Sequence, residues 1–432
     1  MELTIYRGTE EVGGTMIEMK SKNTKILVDA GYPLFYNGNV IDDEWAGKPY
    51  KELLELGVIR PVQGLYRWDK PDFDAVLISH AHSDHFGMLR FIHPDIPIYL
   101  SEVTNKLIEL NMSFTIHDYS RRDRRFVRMY EPFSIGDFTI KPYLMDHSAW
   151  QAAAFEIRCE GKTVLYTGDF RGHGRHGEYL ERFLSEAEKS PDLLLIEGTT
   201  LDRTDEQECS EDDMVEKFKA VMEESKGIVL CQPTSQNIDR VISFYKAAKA
   251  AGRTFVIDVY TANVLWELNG ISRGDFPIPS LLRPDIRVFS PLLLTKKMEK
   301  LLGDKRVRRF PLYGVSAKDV GRKQHQIAML VRPSSLPDLK RMGLKDGVLI
   351  YSQWQAYRDK PYQVRLEEFL KSCRFTDMYL HTSGHAFKPA IKKVIRELSP
   401  KEIVPIHTFC PQAFCGFSPN VTLRQDGVPF QL

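Results

Sequence analysis

Ile78-Ser79-His80-Ala81-His82-Ser83-Asp84-His85-Phe86-Gly87 follows directly on the apolar run Ala75-Val76-Leu77-Ile78. Positions 80–85 hold three imidazoles and a carboxylate. An apolar strand that ends in such a turn aims several side chains at one place. His80 and His82, two apart, share a face if the strand geometry continues. Asp84 and His85 come from the turn and suit a second ion beside the first. Imidazole and carboxylate donors match zinc and similar borderline metals. The alternative is a polar loop that happens to be rich in histidine. Such density straight after a buried strand favours half of a dinuclear metal site.

The other half has to come from distant strand ends. Asp146-His147-Ser148 closes a strand-like segment, and His147 would complete a three-histidine set with His80 and His82. Tyr166-Thr167-Gly168-Asp169-Phe170 ends another apolar strand. A carboxylate there can bridge two cations, although an Asp after Gly is equally an ordinary turn. His407, after Ile403-Val404-Pro405-Ile406, would join Asp84 and His85 on the second ion. Two ions about 3.5–4 Å apart suit phosphate-ester hydrolysis. Each stabilises one charge of an in-line displacement, and a shared water is acidified toward hydroxide.

The chain has 432 residues, 43% of them hydrophobic and 27% charged, with a formal net charge of +1. That length predicts two domains, or one large domain with an insertion. A near-neutral balance neither announces nor excludes nucleic acid. No apolar run approaches the ~20 residues that span a bilayer, and Met1-Glu2-Leu3-Thr4-Ile5-Tyr6 starts straight into strand-like alternation. The expectation is a cytoplasmic protein with no membrane partner. Its six scattered cysteines, without a CxxC pair, read as reduced thiols. Short strands dominate up to about Leu201. Beyond it, Asp213–Glu224, Ile228–Cys231, Ile238–Ala251 and Thr254–Val259 alternate as helix and strand, which implies a parallel sheet. Strand, helix and strand return at Met378–His381, Ala390–Leu398 and Ile403–Ile406. The economical architecture is α/β: a strand-rich layered sandwich built from 1–202 and 366–432, interrupted by a βαβ-type insertion over 203–365.

These motifs, in this order, resemble the metallo-β-lactamase superfamily, whose H-x-H-x-D-H signature is met by His80, His82, Asp84 and His85. The early strand-end Asp29 in Leu27-Val28-Asp29-Ala30-Gly31 fits as well. The likeness extends to the β-CASP subfamily, which includes RNase J enzymes and the nuclease of the cleavage and polyadenylation specificity factor. Leu195-Ile196-Glu197-Gly198-Thr199-Thr200 resembles its motif A, Thr382-Ser383-Gly384-His385-Ala386 its motif B, and Pro405-Ile406-His407-Thr408 its motif C. The resemblance implies an αββα sandwich with a β-CASP cap. It implies two zinc ions, whose ligands manganese can also serve: one on His80, His82 and His147, the other on Asp84, His85 and His407, with Asp169 bridging. Asp29 would orient a histidine or the turn. Glu197 would support His385, which would bind the scissile phosphate or protonate the leaving oxygen, while Asp84 handles the proton of the attacking hydroxide. His381, Thr382, Ser383, Gly384 and His385 would hold the phosphate with hydroxyls and backbone N–H groups at a glycine turn. A histidine at motif C points to RNA, where the DNA-repair branch usually carries valine. The chain departs from the pattern in Glu-Gly-Thr-Thr, and in Thr408-Phe409 where Gly-Glu is common.

Two basic runs, Arg121-Arg122-Asp123-Arg124-Arg125-Phe126-Val127-Arg128 and Lys305-Arg306-Val307-Arg308-Arg309, fit a channel tracking a single strand's backbone. Their other reading is a solvated face. Thr234-Ser235-Gln236-Asn237 reads as an N-cap or as a phosphate site at a helix N-terminus. His173 and His176 read as residues of a flexible loop. The leading expectation is a zinc-dependent ribonuclease acting on single-stranded RNA, as a monomer or homo-oligomer. The alternatives are a DNA nuclease, a metallo-hydrolase of a small thioester or lactam substrate, and a binding subunit without metals. Glu197, His385 and His407 discriminate against the second, and the full ligand set against the third.

Overall fold

The computed structural model describes residues 1–41, 45, 48–112, 122–203, 209–272, 274 and 276–432, the side chains of Asn39 and Met112 excepted. The chain divides into two compact units, Met1–Gln207 with Gly384–Leu432, and Glu208–Ser383. Among the described residues, one mixed sheet of the first unit orders Phe430–Gln431, Glu2–Arg7, Met16–Lys20, Lys25–Val28, Ala75–Leu77, Ile98–Leu100 and Arg124–Phe126. The other orders Ile403–Ile406, Leu193–Glu197, Lys162–Tyr166, Ala152–Cys159, Phe138–Met145 and Phe133–Ile135.

Strand alternation makes this pair a sandwich. Ile5, Ile17, Val28 and Leu77 of the first sheet share a buried cluster with Phe155, Val164, Leu195 and Val404 of the second. Full burial of each contributes roughly 1.5–3 kcal/mol. The intervening residues Leu194 and Ile196 face the other way. They pack with Leu180 and Phe183 of helix Gly177–Glu186 and with Ile391, Val394 and Leu398 of helix Lys388–Leu398. The layered α/β sandwich read from the sequence is the fold observed.

His173 and His176 lie in the loop that leads into the first of those helices, as read from the sequence, and both rings are packed there. His176 is the residue before the helix, its ring stacked on Tyr179 at 4.9 Å and edge-on to Trp150 at 5.2 Å. His173 is buried against Phe387.

The second unit is built on one parallel sheet, ordered Ile286–Phe289, Thr254–Asp258, Ile327–Leu330, Val229–Gln232, Val348–Tyr351 and Thr376–Tyr379. Its apolar core includes Leu230, Val256, Met329, Leu349 and Leu366. Position 366, where a return to the sandwich was expected, lies inside helix Pro361–Ser372. Thr376–Tyr379 then pairs along Val348–Tyr351 as the edge strand of this sheet. The chain leaves the unit only between Ser383 and Gly384. Asn237 caps helix Ile238–Ala250 by accepting from Arg240 N, so the Thr234–Asn237 segment is an N-cap.

Candidate metal centre

Parallel pairing gathers the ligands. Lys25–Val28 runs parallel to Ala75–Leu77, so Asp29 and Ser79 emerge at one edge. Lys162–Tyr166, Leu193–Glu197 and Ile403–Ile406 are parallel neighbours, which brings Asp169, Glu197 and His407 to one edge of the other sheet. Phe138–Met145 is antiparallel to Ala152–Cys159, itself antiparallel to Lys162–Tyr166, so His147 arrives at the same edge. Ala153 N donates to Ser79 O at 3.0 Å and ties the two edges together. The turn of the opening motif is the short helix Ser83–Phe86, held by Ala30 N to His85 O at 2.7 Å and Thr15 N to Asp84 O at 3.1 Å. Gly31 permits this approach: a Cβ there would stand 1.8 Å from Asp84 O. Asp29 and His407 hold left-handed backbone, φ 57° and 51°. Non-glycine residues seldom adopt it, and it clusters at functional sites.

Two donor groups result. His80, His82, His147 and Asp169 bring one ligand atom each within 4.8 Å of one another, and so do Asp84, His85, Asp169 and His407. Asp169 belongs to both. Its Oδ2 lies 3.1 Å from His85 Nε2, 3.6 Å from His80 Nε2 and 3.8 Å from His147 Nε2.

Four rings are oriented from behind. His80 Nδ1 donates to Ser79 Oγ (3.0 Å), and that hydroxyl donates to Asp29 Oδ2 (2.7 Å). His85 Nδ1 donates to Asp29 Oδ2 (2.8 Å), an oxygen that also accepts from the Tyr166 hydroxyl. His147 Nδ1 donates to Gly384 O. His407 Nδ1 donates to Thr199 Oγ1 (2.8 Å), whose hydroxyl reaches back to His407 O (3.2 Å). Each bond holds its ring with Nε2 turned to the cluster.

The donors fit a cation. His80 Nε2, His85 Nε2 and Asp169 Oδ2 are buried and make no hydrogen bond, an arrangement that costs free energy unless an ion or proton fills it. Burial, aided by neighbouring imidazoles, holds His80 and His147 well below the usual histidine range, and burial takes His82 to about 4. These three are neutral donors. Burial opposes charge on His85 as well, but Asp169 and Asp29 outweigh it and push its pKa well up. A cation would take the place of that proton. Burial alone would raise Asp84, yet the hydrogen bond from His407 and the nearness of His85 bring it to about 2.

Beside this stands a third grouping, Asp169, Glu197, His385 and His407. Glu197 is already occupied: its carboxylate accepts from Phe170 N (2.9 Å), Thr199 N (3.2 Å) and Ala386 N (3.4 Å), and it lies 3.2 Å from His385 Nδ1. Such a carboxylate fixes a histidine better than it binds an ion. Burial would lower the His385 pKa, but Glu197 and Asp169 together raise it.

The remaining expected residues divide. Gly384 and His385 belong to the first unit, whereas His381, Thr382 and Ser383 belong to the second. The Thr382 hydroxyl is committed to Cys209 O (2.7 Å) and its carbonyl to Arg240 (3.1 Å), so it does not offer the free hydroxyl expected of it. The basic runs are partly engaged within the fold, while Arg125, Arg128, Lys305 and Arg308 stay exposed. Arg122 is buried, donating to the carbonyls of Leu89, Ile92 and His93. Arg124 pairs with Glu109, Arg125 with Asp123, and Arg306 and Arg309 with Glu267. Arg121 lies outside the described residues.

Ser79, Tyr166 and Thr199 were not singled out from the sequence. Each lies within one of the motif stretches, but a hydroxyl beside a ligand carries no signal until the ring it meets is placed. Thr199→Val, which keeps the shape and removes the hydroxyl, is expected to weaken zinc binding at the His407 end by about 10- to 100-fold. Competition with a chromophoric chelator measures it; unchanged affinity would show that the hydroxyl does not hold the ring.

A model of the beta-lactamase superfamily domain matches residues 25–228, and one of the Zn-dependent metallo-hydrolase RNA specificity domain matches residues 372–413. Ribonuclease J of Helicobacter pylori (strain B128) is 22% identical over 429 residues, covering 94% of this chain and 56% of its own length. Ribonuclease J of Sinorhizobium meliloti is 26% identical over 215 residues, 48% of this chain and 38% of the relative. A probable RNase of Methanocaldococcus jannaschii is 28% identical over 187 residues, 39% of this chain and 38% of that protein. The chain thus spans about half the length, or less, of these curated relatives. The crystal structure of a protein of unknown function from Enterococcus faecalis V583 shares the fold, with a TM-score of 0.80 and 21% identity over 100% of this chain and 99% of that one.

Proposed function

The chain belongs to the metallo-β-lactamase superfamily of zinc-dependent hydrolases and carries an RNA-specificity segment, and from that premise we propose that it is a ribonuclease hydrolysing phosphodiester bonds of single-stranded RNA. The observation that carries the reading is the Glu197–His385 pair, with His385 Nδ1 3.6 Å from the shared carboxylate of Asp169. A histidine whose hold on its proton is strengthened by Glu197 and Asp169 beside the ligand cluster is suited to a substrate whose anionic phosphate must be held and whose leaving oxygen needs a proton.

His80, His82, His147 and Asp169 would hold one zinc ion, and Asp84, His85, His407 and Asp169 the other. When bound, two such ions supply Lewis-acid stabilisation of phosphoryl oxygens and lower the pKa of water. The chain's own groups do the rest. Asp84 stays ionised and is the acceptor at hand for the proton that the attacking water gives up. His385, steadied by Glu197, faces the phosphate and donates to the departing oxygen. Ser79, Asp29 and Thr199 keep the ligand rings from turning. The names of the relatives support RNA as the polymer, and so does the RNA-specificity match over 372–413.

The test is incubation of the purified, zinc-loaded protein with 5′-labelled single-stranded RNA and DNA, with and without chelator, beside His82→Ala. RNA cleavage lost on chelation and in the variant is the expected result. Cleavage of neither polymer sinks the nuclease reading, and RNA cleavage surviving both treatments sinks the metal mechanism. His385→Ala is expected to lower kcat by roughly 10²- to 10⁴-fold while the zinc content stays at the wild-type level. Loss of one zinc equivalent in that variant would instead make His385 a ligand.

A further inference from the structure

We propose that Phe409, buttressed by Phe35, forms a stacking subsite for the nucleobase next to the phosphate held at the metal centre; this rests on the ribonuclease reading above. Phe409 exposes 41% of its surface, although His407 and Thr408 just before it are buried. Phe35 meets its ring edge-on, with centroids 5.3 Å apart and planes at 71°.

The backbone carries both rings to the same end of the centre. Phe409 leaves the chain two residues beyond His407, whose Nε2 lies 3.2 Å from Asp84 Oδ2. Phe35 leaves it one residue beyond Leu34. A Cβ on Gly13, which adjoins Pro33 in a β-bridge, would stand 2.7 Å from Leu34 Cγ and 3.1 Å from Asp84 Cβ. Leu34 and Asp84 thus both adjoin Gly13, which starts the Phe35 segment near the Asp84–His407 end of the cluster. The strand Phe35–Tyr36 pairs with Asn39–Val40, which gives Phe35 a fixed backbone from which to brace its neighbour.

At 41% exposure the Phe409 ring keeps part of its apolar surface in water two residues beyond His407. Every nucleobase offers a π-face, so such a ring takes a base of any identity and orients the strand without reading sequence.

The experiment compares two 5′-labelled substrates of equal length on the zinc-loaded protein: oligoadenylate, and the same ribose-phosphate backbone without bases. The ratio of their kcat/KM values is expected to fall about 5- to 150-fold in Phe409→Ala, to recover in Phe409→Trp, and to fall less in Phe35→Ala. Zinc content is measured alongside. A ratio unmoved by Phe409→Ala overturns the subsite, and so does a ratio that falls only together with zinc loss. Failure of the wild-type protein to cleave either substrate overturns the ribonuclease reading itself, which a flat ratio leaves standing.

Discussion

Asp169→Asn is expected to strip the protein of both zinc ions and to lower hydrolysis by roughly 10⁴-fold or more, the scale of losing one member of a group that acts as a unit. Asp169 is the residue common to all the donor groups, and its buried Oδ2 faces His80, His85 and His147. The substitution keeps volume and shape. It removes the negative charge that two cations would share, and it leaves one amide oxygen where a carboxylate offers two. Zinc content by atomic absorption and activity on labelled RNA check the two halves independently. Retention of two zinc equivalents would show that the donor groups are separate sites rather than one bridged centre. Loss of a single equivalent would assign Asp169 to that end alone.

Arg240→Ala is expected to destabilise the second unit by about 3–5 kcal/mol, because it leaves Glu211 as a buried charge without its partner. Both side chains are fully buried. Arg240 donates to Glu211 at 3.0 Å, to the Ser352 hydroxyl, to Thr382 O at 3.1 Å and to His381 Nδ1 at 3.4 Å. Ser243 Oγ gives Glu211 a further hydrogen bond at 2.7 Å. Denaturant unfolding followed by a probe in the second unit measures the loss. Arg240→Met combined with Glu211→Leu should recover most of it, since replacing a buried pair by apolar groups is often neutral. A single-variant loss under about 1 kcal/mol would mean that Glu211 finds another countercharge. The same guanidinium ties down His381 and Thr382 just ahead of the Gly384-His385 turn, so the stability and activity of this variant should be read together.

Much of the site was legible because its chemistry is written in residue type at strand ends. His80, His82, Asp84, His85, His147, Asp169 and His407 all stand at or just beyond the close of an apolar run, and apolar runs are the strongest local signal a sequence carries. Glu197 and His385 needed the resemblance, since a strand-end glutamate and a turn histidine are ordinary alone. For the basic runs, charge in a sequence does not say where the carbonyls and carboxylates that absorb part of it lie. Arg122 meets the carbonyls of residues 89–93 and Arg309 meets Glu267, both far away along the chain. The end of the insertion was hidden similarly, because only pairing with Val348–Tyr351 shows that Thr376–Tyr379 belongs to the second sheet.

The sequence by itself determined the donor set and the class of chemistry, because imidazole and carboxylate side chains keep their coordination preferences wherever the chain carries them. It determined most strands of the sandwich too, since burial of one face imposes a period of two. Tertiary structure alone decided which nitrogen of each ring faces the cluster. That choice rests on Ser79, Asp29, Gly384 and Thr199, brought behind the rings by parallel neighbours and inter-strand turns. It also decided that the Glu197 carboxylate, met by three backbone N–H donors, lies 3.2 Å from His385 Nδ1. Ligand identity is a property of single side chains; orientation and protonation are properties of neighbours, and the neighbours here lie up to 237 positions away.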